Sequence, residues 1–220
     1  MEPAERRSRG GVGTMAFQAT APSTRSQSTP GWFSLICRGL RSPRLVGQVL
    51  RARWQLRRCD VIPMTVRLRG RVRVEKYGGC IEIGDRVRIE ARTIPVEMVA
   101  WRDALLHVGD GTFINYGVSL SAHREVSIGA NCMIGNYVVI MDSDYHDLSD
   151  HRRPGEAAPI VIEDNVWLGV RAIVLKGVRI GRDSVIGAGS VVTTDIPPSS
   201  VAFGVPARVV RSLTPLSDER

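Results

Sequence analysis

The chain has 220 residues and a formal net charge of +8, a size that allows one domain with a sizeable core and additional terminal segments. No apolar run approaches the roughly 18 residues that a membrane-spanning helix needs, and the N-terminus shows no apolar stretch typical of a secretory signal. The cysteines are scattered without a CxxC pair, which favours a reducing compartment over a disulfide framework; they are Cys37, Cys59, Cys80 and Cys132.

The positive charge is concentrated in the N-terminal third. Residues 1–76 contain 16 lysines and arginines against 4 acidic residues, whereas the other 144 residues contain 14 against 18. Residues 1–30 are rich in Ser, Thr, Arg, Pro and Gly and cannot bury enough apolar surface to offset the entropy of ordering, so we expect a disordered tail. Residues 31–60 are basic, and apolar residues recur at helical spacing from Arg44 to Arg58, which predicts a short amphipathic helix.

Two partners are open for this predicted helix. It either packs against the end of the main domain or lies on an anionic membrane surface. Nucleic acid is not expected as a partner, because no helix-turn-helix, zinc finger or aromatic-basic groove pattern occurs. We therefore expect a cytoplasmic protein, with peripheral contact to the inner face of the membrane through residues 31–58 as the open alternative.

A six-residue repeat dominates residues 66–205. The clearest run places an aliphatic residue at every sixth position, often followed by glycine: Ile162, Leu168, Val174, Ile180, Ile186 and Val192. Neither a strand, which repeats every two residues, nor a helix, which repeats every 3.6, gives this period. Short β-favouring runs separated by turn residues predict a β-solenoid in which three repeats close one triangular coil. Residues 206–220 are expected to form a C-terminal tail.

The register breaks at two points. Ile140 and Ile162 are separated by a polar segment whose length is not a multiple of six, and such an excursion from a regular scaffold is where function most often lies. This segment contains His146 and His151, with carboxylates nearby that could orient an imidazole. The second break, at residues 91–107, is more apolar and is either a shifted coil or another excursion.

The stretch from about 105 to 211 resembles the hexapeptide-repeat O-acetyltransferases, which include the galactoside and maltose enzymes and those of exopolysaccharide synthesis. The matching motifs are Phe113-Ile-Asn115, the His146 loop, Ile162-Glu-Asp-Asn-Val-Trp-Leu-Gly169, Val178 to Ser190, Asp195 to Ser200, and Gly204-Val-Pro-Ala-Arg-Val-Val-Arg211. The resemblance implies an all-β, left-handed parallel β-helix with an N-terminal helical and disordered extension. It also implies a homotrimer, with acetyl-CoA as co-substrate and no metal.

The resemblance assigns roles to individual residues. His146 would be the general base that takes the proton of an acceptor hydroxyl. Asn115, His123 and Asp144 would contact the acceptor. Positions matching CoA contacts are Val170, Ala188, Thr193, Thr194, Arg208 and Arg211.

The acceptor is less well defined. Where the galactoside-type enzymes have an aspartate near the sugar this chain has His123, and where they have an upstream serine it has Trp101. A lysine that these enzymes carry is Thr194 here. These departures favour another hydroxyl, in a sugar, polysaccharide, glycolipid or glycosylated natural product.

Two other functions remain open from the sequence. The same solenoid supports γ-class carbonic anhydrases, in which histidines of adjacent subunits bind zinc. If this chain were such an enzyme, the metal would be held by His146 and His151, with His123 as a third ligand. Alternatively, the solenoid is a non-catalytic scaffold whose basic N-terminal region does the binding.

Overall fold

The computed structural model describes residues 42–213. The expected disordered tail, residues 1–30, and the first part of the basic segment lie outside these residues. One helix and seventeen strands occur within them. They are α1 Pro43–Gln55, β1 Arg67–Lys76, β2 Cys80–Ile83, β3 Arg88–Ala100, β4 Leu105–Val108, β5 Phe113–Ile114, β6 Ser119–Ala122, β7 Glu125–Ile128, β8 Met133–Ile134, β9 Val139–Met141, β10 Ile160–Ile162, β11 Trp167–Leu168, β12 Ile173–Val174, β13 Arg179–Ile180, β14 Val185–Ile186, β15 Val191–Val192, β16 Ser200–Gly204 and β17 Ala207–Ser212.

The short strands stack in parallel into three faces. Face 1 contains β2, β4, β7, β10 and β13. Face 2 contains the first parts of β1 and β3, followed by β5, β8, β11, β14 and β16. Face 3 contains the last parts of β1 and β3, followed by β6, β9, β12 and β15. The parallel β-solenoid predicted from the six-residue register is therefore confirmed.

The core is a set of aliphatic columns inside the prism. On face 1, the residues that end successive strands are almost completely buried: Ile83, Val108, Ile128, Ile162 and Ile180. Because the strands pair in register, equivalent residues of successive coils pack on each other. Burial of this kind stabilises the fold by about 1.5–3 kcal/mol for each large side chain. The columns thereby hold the turns at fixed heights along the prism.

The helix is attached to the rest of the described chain by packing and by side-chain hydrogen bonds to backbone groups. Ala52 and Leu56 are fully buried, and the Gln55 side chain contacts the backbone of β1 at two points. Its Nε2 donates to the Gly70 carbonyl over 3.1 Å, and its Oε1 accepts from the Val72 amide over 2.8 Å. The register of β1 shifts between these two residues, so Gln55 satisfies backbone groups that the ladder leaves free. The predicted amphipathic helix is present, shortened to Pro43–Gln55.

The two register breaks differ in structure. Residues 91–107 are a shifted coil, because β3 passes through a corner of the prism and pairs with its neighbours on both faces. Residues between β9 and β10 leave the coil altogether, as the sequence indicated. The segment expected as a C-terminal tail starts with a strand instead, since β17 pairs antiparallel with β16. Within residues 42–213 no helix is long and apolar enough to cross a membrane.

Candidate active site

The excursion begins at a buried carboxylate. Asp142 follows β9, is completely buried, and accepts hydrogen bonds from three consecutive backbone amides of the preceding coil. These amides belong to His123, Arg124 and Glu125, at 2.6, 2.7 and 2.7 Å. A carboxylate bonded in this way is satisfied without a cationic partner. Asp142 thus fixes the corner from which the excursion leaves.

Beyond Asp142 the chain folds back on itself as an irregular hairpin. Isolated antiparallel bridges join Ser143 to Ala157 and His146 to Pro154. At its tip, the Asp147 carboxylate accepts from the amides of Ser149 and Asp150 and from the Ser149 hydroxyl. These bonds, led by that of the hydroxyl, lower the pKa of Asp147. The hairpin is therefore an ordered loop with its own hydrogen bonds.

His146 lies exposed on this hairpin with one ring nitrogen engaged. Its Nδ1 is 2.9 Å from the backbone carbonyl oxygen of His151. Because a carbonyl only accepts, Nδ1 carries the hydrogen of the neutral imidazole and Nε2 keeps its lone pair. The partner that orients the ring is a backbone carbonyl, whereas the sequence had suggested a carboxylate. Nε2 is thus left as the basic atom of an accessible imidazole.

Asp144 is held by a lysine from a later coil. Lys176 Nζ lies 2.7 Å from the Asp144 carboxylate and 3.0 Å from that of Glu156, so it joins both sides of the hairpin. These two bonds raise the pKa of Lys176, with Asp144 the larger cause. Lys176 was not predicted as a site residue. The one sequence signal for it is its position just after β12, the strand that pairs with β9 at the start of the excursion.

Four aromatic rings line the prism edge between faces 3 and 1, which we call the histidine edge. Tyr77 stacks on Trp101 with ring centroids 4.6 Å apart, and Trp101 stacks on His123 at 4.9 Å. Tyr145 meets His123 edge-on at 4.7 Å and donates its hydroxyl hydrogen to Ser121 Oγ over 2.8 Å. We call these four residues the aromatic ladder. It connects the first coils to the hairpin that carries His146.

His123 is a packed member of this ladder. Its Nδ1 is buried without a hydrogen-bond partner among the described residues and faces Asp142 at 3.8 Å. Burial lowers the pKa of His123, and the Asp142 charge partly opposes that shift. The sequence did not single out the ladder, although Tyr77, Trp101 and His123 each directly follow a face 3 strand.

The remaining acceptor residue, Asn115, lies on a different edge of the prism. The turns between faces 2 and 3, which we call the asparagine edge, hold Asn115 in one coil, Val170 two coils later and Ala188 in the coil after that. Asn115 Oδ1 accepts from the Tyr116 amide over 2.9 Å. It also lines an open pocket of about 350 Å³, together with Glu90, Arg92, Thr93 and Tyr116.

The predicted site residues therefore form three groups. Thr193 and Thr194 are exposed in the turn after β15, on the histidine edge with His123, Asp144 and His146. Asn115, Val170 and Ala188 are on the asparagine edge. Exposed Arg208 and Arg211 belong to β17, at the C-terminal end of the prism. One copy of the chain does not gather them around a single point.

No metal-ligand group occurs in residues 42–213: no three His, Cys, Asp or Glu side chains lie close enough together to hold an ion. Nδ1 of His146 is bonded to backbone, and Nδ1 of His123 is buried. His146, His151 and His123 are the zinc ligands that the carbonic-anhydrase-like alternative requires.

Comparisons with known proteins agree with the fold. The hexapeptide repeat of succinyl-transferase family matches residues 159–194. A galactoside O-acetyltransferase from Lactococcus lactis is 45% identical over 111 residues, 49% of this chain and 53% of that protein. The chain thus spans about half the length of this curated relative.

Two solved structures are also similar. A hexapeptide-repeat-containing acetyltransferase from Vibrio cholerae, crystallised with acetyl coenzyme A, is 32% identical over 63% of this chain and 71% of that one, with a TM-score of 0.46. A polysialic-acid-specific acetyltransferase is 25% identical over 71% of this chain and 76% of that one, with a TM-score of 0.51. The matched hexapeptide repeat, the identity to the galactoside O-acetyltransferase and the repeat observed in the coils show that this chain belongs to the hexapeptide-repeat acetyltransferases.

Proposed function

We propose that the protein transfers an acetyl group from acetyl-CoA to a hydroxyl group of a saccharide, with His146 as general base. The observation that carries this proposal is the contact between Nδ1 of His146 and the His151 carbonyl, which in the neutral imidazole makes Nε2 the lone-pair nitrogen of an exposed ring. Membership of the acetyltransferase family supports acetyl-CoA as donor. The Vibrio relative was crystallised with that molecule.

The proposed reaction needs no covalent enzyme intermediate. Nε2 accepts the hydroxyl proton while the acceptor oxygen attacks the thioester carbonyl carbon. The tetrahedral oxyanion then collapses, the C–S bond breaks, and the CoA thiolate takes the proton from the imidazolium. Within residues 42–213 no cysteine is expected to act as nucleophile, since burial raises the pKa of Cys59 to about 12 and also raises the pKa values of Cys80 and Cys132.

The separation of the site residues supports a catalytic centre shared between copies of the chain. The histidine edge of one copy, with His146, would face the asparagine edge of another, with Asn115, Val170 and Ala188. Exposed Met133 and Trp167, paired in register on the outside of face 2, offer apolar surface for such a contact. A homotrimer closed by three such contacts is the assembly we propose.

In this arrangement the pantetheine arm would run between the two facing edges, past Val170 and Ala188 on the asparagine edge of one copy and past Thr193 and Thr194 on the histidine edge of the other. Arg208 and Arg211, exposed on β17, carry guanidinium groups suited to the phosphates of CoA. Neutralising both should weaken CoA binding while leaving the coil intact.

A saccharide acceptor is supported by the aromatic ladder and by the relatives. Tyr77 and Tyr145 are 52% and 40% exposed, so the ladder offers apolar ring surface beside the hairpin, of the kind that packs against sugar C–H groups. His123 would contribute as part of this wall, and Asp144 and Asn115 would bond hydroxyls. The Lactococcus relative is a galactoside O-acetyltransferase, and one of the two similar structures is an acetyltransferase specific for polysialic acid.

The test is a screen of the full chain with acetyl-CoA against galactosides, maltose, sialic acid polymers and lipid-linked saccharides, following release of the CoA thiol. We expect release that depends on one acceptor and product that carries an ester. Light scattering should give three times the chain mass. Absence of thiol release with every acceptor, or a monomer that is fully active, would contradict the proposal.

A further inference from the structure

The outer side of α1 carries an apolar stripe that nothing in residues 42–213 covers. Val46, Leu50 and Trp54 follow one another at intervals of four along the helix and are 43%, 61% and 66% exposed. The opposite side of the helix holds Ala52 and packs on β1. A helix attached only for packing would bury its apolar residues and expose polar ones. This helix exposes apolar residues as well.

A basic groove adjoins the stripe at Trp54. It has a volume of about 530 Å³ and is lined by four arginines, by Trp54 and by apolar residues of β1 and the β3 corner. The arginines are Arg57, Arg58, Arg71 and Arg73. Trp54 belongs to both features, and the Arg57 guanidinium lies over its ring at 5.6 Å.

The charge in this groove is largely uncompensated. Arg73 pairs with Glu97 at 3.3 Å, but within the described part of the chain Arg57, Arg58 and Arg71 have no carboxylate within ion-pair distance. Arg57 and Arg58 instead donate to the backbone carbonyls of Trp54 and Val74. Their remaining N–H groups are free to bind phosphate oxygens.

We propose that the stripe and the groove together bind the surface of a membrane that contains anionic phospholipid. The arginines would bind headgroup phosphates, while Val46, Leu50 and Trp54 enter the interface between headgroups and acyl chains. The apolar stripe favours a lipid headgroup over a soluble phosphorylated molecule as the source of the phosphate. A soluble molecule would bind the arginines alone and would not cover the three apolar side chains beside the groove. This docking is independent of acetyl transfer and would hold the enzyme near membrane-linked saccharides.

The experiment is co-sedimentation of the full chain with vesicles, without acetyl-CoA or acceptor. Vesicles of phosphatidylcholine alone are compared with vesicles that contain phosphatidylglycerol in equal proportion. We expect binding to the anionic vesicles and little to the neutral ones. Because no catalytic component is present, its outcome does not depend on the proposed activity.

Two variants test the two parts of the surface. Arg58→Gln with Arg71→Gln should lower vesicle partitioning on the order of 30-fold, while the charge-matched pair Arg179→Gln with Arg182→Gln, in a distant coil, should lower it much less. Leu50→Gln with Trp54→Gln should lower it at least about tenfold at unchanged charge. Circular dichroism checks that each variant retains the fold.

Several results would overturn the proposal. No binding of the wild type to anionic vesicles would mean that another part of the chain or of a second copy covers the stripe. Equal losses in the two arginine pairs would mean that overall charge, not the groove, determines binding. Full binding by the Leu50→Gln, Trp54→Gln variant, or binding to soluble polyphosphate as tight as to vesicles, would identify a polyanion site without membrane insertion.

Discussion

The Nδ1 atom of His146 lies 2.9 Å from the backbone carbonyl oxygen of His151, five residues later in the same hairpin. The contact depends on the path of the backbone and not on the His151 side chain. It therefore fixes the tautomer and the ring orientation of His146 with a group that substitution of residue 151 does not remove. The proposal therefore gives the two histidines of the excursion different roles, which mutation can separate.

His146→Ala should lower the rate of acetyl transfer by roughly 10²–10⁴-fold, because it removes the proposed base and leaves donor and acceptor positioning in place. The measurement is kcat from thiol release, together with CoA affinity and subunit mass, which should stay close to wild type. Transfer at the wild-type rate would contradict the assignment of the base.

His151→Ala is the matched control. It deletes an imidazole from the same hairpin but keeps the carbonyl that orients His146, so kcat should remain within a few-fold of wild type. A loss as large as that of His146→Ala, together with about one zinc ion per chain in the wild type by metal analysis, would instead favour the carbonic-anhydrase-like alternative.

Asp142→Asn should destabilise the protein by about 3 kcal/mol. The buried carboxylate accepts from three amides, and the NH₂ group of asparagine would place a donor against at least one of them. Urea unfolding gives the free energy of unfolding. Asp144→Asn, which removes only a partly exposed ion pair with Lys176, should cost less than about 1 kcal/mol. Equal effects of the two changes would contradict the structural role of Asp142.

The two aspartates also show what sequence could and could not predict. The six-residue spacing of residues such as Ile162 and Ile180 determined the coils, because each position in a repeat has one environment. The excursion was visible as a break in that spacing. The hydrogen-bond and ion-pair partners within the excursion could not be predicted. Asp142, Asp144 and Asp147 all lie near His146 in sequence, yet the carboxylate of each is bonded to other groups. Their partners come from other coils or from the tip of the hairpin, and no local pattern encodes them.

The two edges of the prism were likewise unpredictable from the resemblance alone. It assigned Asn115 and His123 to one acceptor site, and the coil places them in turns at different edges of the prism. Asn115 and His123 are eight residues apart in sequence. The chain between them forms one face of the triangular coil, so it runs from the asparagine edge to the histidine edge. Only the path of the coil makes this separation evident.

Stability should fall as the pH is lowered from 7.5 to 5.5, with His123 as one cause. Burial lowers the pKa of His123 in the folded protein below its usual value of 6.5. The unfolded chain therefore binds more protons between the lowered pKa and 6.5, so stability is lost as pH falls through that window. His123→Phe keeps a ring between Trp101 and Tyr145 and should flatten the dependence of the melting temperature on pH. An unchanged slope in the variant would contradict this cause.

Two glycines near the N-terminal end of the structure should respond to alanine in opposite directions. At Gly70, where φ is +97°, an added Cβ would lie 1.8 Å from the Ala91 carbonyl oxygen, so Gly70→Ala should destabilise the protein by more than about 3 kcal/mol. At Gly47, inside α1, a Cβ would meet nothing within 4 Å, and Gly47→Ala should stabilise by about 0.5–1 kcal/mol through helix propensity. Chemical unfolding of both variants measures the difference in the free energy of unfolding.

The effect of Gly47→Ala also tests whether α1 unfolds together with the coil. If the helix unfolds separately, the substitution would raise its helicity without raising the unfolding midpoint of the solenoid. If the bond from Gln55 to the Gly70 carbonyl couples the helix to the coil, both unfold in one transition and the midpoint rises.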